Sequence, residues 1–175
     1  NVTDEDNVLN VAVSDATGDA RGITALNVTA ANLIGALAVN LSGNDGANQL
    51  TGTTNADTIS GGAGNDTIYG FAGADTVDGG GGTTDTLVLA ATSTDLNTAG
   101  NAQLVNVETV TAASAAAAVN IDLSSQSDGF TVVGSAHADS ITGSSGADSI
   151  DGGAGVVNDT IYGFAGADTV DGGGG

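Results

Sequence analysis

The residues of this chain best suited to chemistry are aspartates repeated at short, regular intervals. Asp57, Asp66 and Asp75 stand nine residues apart, Asp85 follows ten later, and Asp139, Asp148, Asp159 and Asp168 form a second series. Each has glycines shortly before it and Ile, Val or Leu two places after it. Carboxylates beside glycine-rich loops, whose carbonyls can be turned inward, offer an all-oxygen environment for a hard cation. Acid–base catalysis is the competing use of paired carboxylates. It needs a base, or a cation that stabilises charge, placed with them in a cleft. Only Arg21 and His137 qualify, and they are more than a hundred residues apart. His137 reads as a tolerated turn residue and Arg21 as a surface residue, so no catalytic residue is assigned and the chain is not read as an enzyme. No Gly-Lys-Ser/Thr follows any glycine run, which removes a phosphate loop.

The aspartates belong to a repeated unit. From Gly43 the chain reads GNDGANQLT, GTTNADTIS, GGAGNDTIY, GFAGADTVD and GGGGTTDTLV. From Gly134 it reads GSAHADSIT, GSSGADSID, GGAGVVNDTIY, GFAGADTVD and GGGG. Glycine permits positive φ, so each unit can turn sharply. Where the fourth place is not glycine it holds Asn55 or His137, two types that tolerate the left-handed region. The residues after each Asp are then extended, with the aliphatic one turned inward. These inward residues are Leu50, Ile59, Ile68, Val77 and Leu87, then Ile141, Ile150, Ile161 and Val170. One such strand buries almost nothing, whereas stacked turns bury a continuous ladder. The fold class expected is all-β, a parallel β-solenoid.

These units resemble the calcium-binding nonapeptides of the repeats-in-toxin (RTX) family, G-G-x-G-x-D-x-U-x with U aliphatic. The resemblance implies a right-handed parallel β-roll with two units per turn and Ca2+ held between loops two units apart. Its ligands would be the sixth-place acids and loop carbonyls. Carried over, the pairs are Asp57 with Asp75, Asp66 with Asp85, Asp139 with Asp159, and Asp148 with Asp168. Asn48 with Asp66 would make a weaker site, because an amide brings no charge. The implied carbonyls come from Gly61, Ala63 and Gly64, from Gly70, Ala72 and Gly73, and from Gly79 and Gly81. The second block supplies Gly152, Ala154 and Gly155, then Gly163, Ala165 and Gly166. No Cys and a single His also favour calcium over zinc or copper. Two units depart from the pattern by insertion, at Thr83-Thr84 and Val156-Val157, where a widened loop should distort the sites of Asp85 and Asp159.

The remaining segments show period-two alternation. Val28–Ala31 corresponds to Val110–Ala113, and Val39–Ser42 to Ile121–Ser124. They are expected to continue the solenoid without metal. Ser125–Val133 reads as a degenerate unit with Val132 inward and no sixth-place Asp. A short helix is expected over Thr94–Gln103, capped by Ser93, Thr94 or Asp95. The organisation is thus residues 1–42 as metal-free strands, 43–91 as the first nonapeptide block, 92–133 as metal-free strands with the helix, and 134–175 as the second block. Residues 1–82 and 83–175 form two half-repeats of one solenoid. The terminal GGGG followed by NVTDEDNVL parallels the internal GGGGTTDTLV. The chain is therefore expected to be one period of a tandem or polymeric array, with Asp6 taking the role of Asp85 and Asp4 as its alternate.

Composition sets the partners. With 29 glycines, a single Lys or Arg and 21 acids, the formal charge is −20. Nothing here could neutralise phosphates, so nucleic acid is excluded. The acids must meet cations from solution. A disordered acidic tail fits poorly with 40% hydrophobic residues and evenly spaced acids. No transmembrane run is present. Asp78, Asp151 and Asp171, at the ninth place, read as solvated strand faces. Tyr69 with Phe71, and Tyr162 with Phe164, read as aromatic cover for the roll rather than a sugar platform. The lysine-free, Ala-, Thr- and Gly-rich composition resembles RTX-type surface-layer proteins. The resemblance implies an extracellular structural protein of a surface layer, sheath or filament, exported by type I secretion. It would self-associate, and attachment to cell-surface polysaccharide is a further partner. The alternatives are the extender of an RTX adhesin, or the secretion and folding domain of an RTX enzyme or toxin.

Overall fold

The computed structural model describes residues 8–12, 24–33, 37–163 and 165–175. Arg21, Phe164, Asp4 and Asp6, and so the expected array junction, lie outside the described residues. The chain forms two compact units, one of residues 1–86 with 103–107 and one of residues 87–102 with 108–175.

The first unit contains β1 (Val8–Ala12), β2 (Asn27–Thr29), β3 (Ala38–Ser42), β4 (Gln49–Thr51), β5 (Thr58–Ser60), β6 (Thr67–Tyr69) and β7 (Thr76–Asp78). Strand β8 (Thr86–Val88) begins where this stretch of the unit ends, and β9 (Leu104–Val105) completes it. Odd and even strands lie in separate parallel sheets, because each turn of chain lays one strand on each face. The order β1-β3-β5-β7-β9 makes one sheet, and β2, β4 and β6 pair in the other. Register is strict: Leu41 stands on Ile59, Ile59 on Val77 and Val77 on Leu104. On the opposite face Val28 stands on Leu50 and Leu50 on Ile68.

The second unit repeats this plan. Strands β10 (Thr109–Thr111), β12 (Thr131–Val133), β14 (Ser149–Asp151) and β16 (Thr169–Asp171) pair in parallel on one face. On the other face β11 (Asn120–Asp122), β13 (Ser140–Thr142) and β15 (Thr160–Tyr162) do the same. Val110, Val132, Ile150 and Val170 stack in line, as do Ile121, Ile141 and Ile161. The fold is an all-β parallel β-solenoid, as expected.

The core of each unit is these ladders. Ile59, Ile68, Val77, Val132 and Ile141 are buried, while their strand neighbours face outward or are half-covered. Burying such a side chain contributes about 1.5–3 kcal/mol. The strands expected to lack metal are built into the same stacks: β3 pairs with β5, and β11 with β13. Phe71 is buried as cover over the first unit, whereas Tyr162 is exposed.

Two local expectations are corrected. The helix over 94–103 is reduced to one 3-10 turn, Leu96–Thr98, with Ser93 Oγ accepting the Leu96 N–H at 3.0 Å. Ala99 is already extended, and Gln103 is drawn into pairing, its carbonyl accepting the Val77 N–H at 2.8 Å. Strand pairing overrides local helix propensity here. The second correction concerns Asn55 and His137, neither of which adopts positive φ; among the described residues the non-glycine ones that do are Ala74 and Asn106.

Candidate metal centre

The sixth-place residues line up in rows, one turn above another, and the backbone N–H of each donates to the side chain of the next. The Asp57 N–H donates to Asp75 Oδ1 at 2.8 Å, and the Asp66 N–H to Asp85 Oδ1 at 2.7 Å. The Asp139 N–H donates to Asp159 Oδ1 at 2.8 Å, and the Asp148 N–H to Asp168 Oδ1 at 2.9 Å. Asn48 N–H donates to Asp66 Oδ1 at 2.7 Å. Every pair named from the sequence is therefore brought together. The rows also extend one turn into the segments without aspartate: Val39, Val119 and Phe130 donate to Asp57, Asp139 and Asp148, each at 2.8 Å.

One carboxylate oxygen is thus spent on the backbone of the turn below, and the other decides what the loop can bind. Asp66 is 1% exposed, yet its Oδ2 has no hydrogen-bond partner. The Oδ2 atoms of Asp159 and Asp168 are likewise buried and unpartnered. A buried, unpaired carboxylate oxygen is costly unless a cation meets it. The space beside Asp66 Oδ2 is open only because Gly61 lacks a side chain. A Cβ built there would lie 2.2 Å from Asp66 Oδ2 and 2.3 Å from the Gly79 carbonyl oxygen of the next turn. At Gly152 it would lie 2.6 Å from both Asp159 Oδ2 and the Gly172 carbonyl oxygen. A carboxylate and a carbonyl of successive turns therefore face one small gap, a donor set that fits calcium.

Among the described residues no three acidic or imidazole side chains converge on one point. A cation here would depend on backbone carbonyls, which is what the glycines provide. Gly62 and Gly153, with φ of 104° and 112°, turn the loops on which Asp66 and Asp159 stand. The insertions leave the rows intact. Val156 is 95% exposed and bulges outward, and the bonds to Asp85 and Asp159 match those of the regular loops. The row hydrogen bonds are undistorted at both insertions, where the extra residues lie exposed.

Sequence reasoning missed the role of the ninth-place acids. Asp78, Asp151 and Asp171 are not merely solvated, since their Oδ1 atoms accept the N–H of Gly80, Gly153 and Gly173 at 2.9–3.0 Å. Each fixes the left-handed glycine that opens the following loop, and the Asp-Gly-Gly order was the available signal.

Burial raises the Asp66 carboxyl above its ordinary 3.8, and hydrogen bonds from the Asn48 backbone and side chain pull it partly back. In calcium-free protein the neutral acid is favoured by the fold. That contribution is present in full below 3.8 and is lost as pH rises through the raised value. Calcium-free protein should therefore gain β-sheet circular dichroism as the pH falls toward 3.8. A steady loss of signal on that approach would contradict this account.

Against known families, the model of the RTX calcium-binding nonapeptide repeat matches four times, over residues 42–70, 51–84, 131–156 and 158–175. No curated protein and no solved structure matches the chain significantly. RTX nonapeptide repeats bind Ca2+, and the matched stretches contain the rows just described. With its repeats in one register on parallel strands, the chain belongs to the RTX family, as a calcium-binding β-roll repeat protein.

Proposed function

We propose that this chain is the calcium-stabilised repeat of an extracellular structural assembly, a surface layer, sheath or filament, exported by type I secretion. The RTX β-roll is a structural, calcium-binding repeat. The observation that carries the finer reading is the buried, unpartnered Oδ2 of Asp66 against the Gly79 carbonyl. Sites built from two acids and carbonyls carry little ligand charge, which places them with extracellular modules of about 10⁻⁴–10⁻³ M affinity. Such affinity is useless at cytosolic calcium levels and sufficient outside the cell. The charge of −20 acts the same way, keeping chains apart until cations neutralise it. No helix among the described residues is long and apolar enough to cross a membrane.

The proposed calcium ligands are the sixth-place acids with carbonyls of the glycine loops, Asp66 with Gly79 foremost. When bound, the ion supplies positive charge where acids of successive turns face one another. The chain's own part is to hold oxygens around a gap and keep side chains out of it. Purified protein titrated with calcium to millimolar levels should form ordered lattices or fibres, seen by electron microscopy and dispersed by chelator. Protein that binds calcium yet stays monomeric throughout would point to an adhesin extender or a secretion domain instead.

A further inference from the structure

A Ser or Thr at the second place of a loop brings donors to both oxygens of its aspartate, whereas in the Phe71 loop it is a backbone group, the Ala72 N–H, that meets Asp75 Oδ2 at 2.7 Å. Thr53, Ser135 and Ser144 are buried hydroxyl residues at that place. The Thr53 N–H donates to Asp57 Oδ2 at 2.5 Å, and its Oγ1 lies 3.0 Å from both carboxylate oxygens. The Ser135 N–H donates to Asp139 Oδ2 at 2.5 Å, and its Oγ to Asp139 Oδ1 at 2.9 Å. The Ser144 N–H donates to Asp148 Oδ2 at 2.7 Å, and its Oγ to Asp148 Oδ1 at 2.9 Å. Each hydroxyl also accepts the N–H two residues on, from Asn55, His137 and Gly146, at 3.0–3.1 Å. This side-chain turn explains why no residue of these loops adopts positive φ, whereas Gly62 and Gly153 do.

The first loop, Gly43 to Asn48, reaches the same end with amides. Asn44 Oδ1 accepts the Gly46 N–H at 2.9 Å. The Asn48 Nδ2 sits among the carbonyl oxygens of Asn44, Gly46 and Gly61 and Asp66 Oδ1. An amide nitrogen has two protons to give. Here it is surrounded by four oxygens, the environment of a cation. In each block these loops come first, and the open loops of Asp66 and of Asp159 and Asp168 follow.

We propose that Thr53, Ser135, Ser144 and Asn48 stand in for calcium, closing their own loops without metal, while calcium goes to the open loops. This rests on the ligand reading given above for Asp66, and corrects the family pattern at Asp57, Asp139 and Asp148. Those acids already receive donors on both oxygens, so binding metal there would break bonds rather than fill a vacancy. The first two loops of each block then form a template that needs no metal, and calcium orders the loops stacked upon it.

Counting calcium per chain by equilibrium dialysis, on the whole chain and its variants, tests this. Thr53→Gly and Ser144→Gly should each bind one calcium more than the parent, and Asp66→Asn at least one fewer. A parent that binds calcium, with both glycine variants keeping its number, overturns the closed-loop assignment alone. A parent that binds none overturns the ligand reading beneath it. Amide exchange on the parent in chelator is a second measurement that needs no variant. The N–H groups of Thr53 and Ser144 should stay protected, at least ten-fold slower to exchange than Ala63. Equal loss of protection at all three overturns the proposal.

Discussion

Chelation of calcium at low ionic strength should remove more than half of the protein's β-sheet circular dichroism, and restoring calcium should return it. Three magnitudes decide this. Each site held at about 100 times its dissociation constant contributes about 2.7 kcal/mol. Open loops at Asp66, Asp159 and Asp168 would together contribute about 8 kcal/mol on that scale, against total stabilities of about 5–15 kcal/mol. Against this stands a chain with 21 acids and one basic side chain, whose repulsion nothing internal offsets. Folding and metal binding are then one equilibrium for the open loops. The signal left in chelator belongs to the metal-free strands and the closed loops, and salt should enlarge it by screening. Full retention of the calcium-loaded spectrum in chelator at low salt would show that the carboxylate rows do not need the ion.

The fold was legible because its signal is periodic. A fixed nine-residue interval places Ile59, Ile68 and Val77 alternately on two faces, and only a stacked parallel arrangement buries them all. The aspartate pairs were legible for the same reason, since register in the ladders fixes register in the loops. The use of each carboxylate was not. Thr53 and Ser144 look like ordinary turn residues, and their effect depends on an oxygen four places away that periodicity cannot orient. A signal was present nonetheless: Ser or Thr replaces the second glycine in three loops, and in two of them His137 or Asn55 replaces the fourth. Both replacements make sense once the hydroxyl, not a left-handed glycine, forms the turn. The helix misread over 94–103 has a different origin. Its residues favour helix locally, but pairing of β9 with β7 claims Leu104 and Val105, and Gly100 weakens what precedes them.

The aliphatic ladder and the acid rows should prove separable by substitution. Ile68 is wholly buried, with Leu50 directly beneath it on β4. Ile68→Ala removes buried methyl groups from a stack whose neighbours are hydrogen-bonded in place and cannot collapse inward. It should cost about 2–5 kcal/mol with calcium present. The proposed calcium ligands lie on the loops and not on this strand, so the number of calcium ions bound at saturation should stay that of the parent. Asp66→Ala should reverse the pattern. Its Oδ1 holds the Asn48 turn and its Oδ2 faces the Gly79 carbonyl, so calcium is lost while the ladder stays packed in the remaining turns. The two variants are compared by melting temperature in saturating calcium and by calcium bound per chain. If Ile68→Ala lost calcium as completely as Asp66→Ala, the ladder and the loops would be one cooperative element. The acid row could then no longer be treated as an addition to a solenoid that apolar stacking already defines.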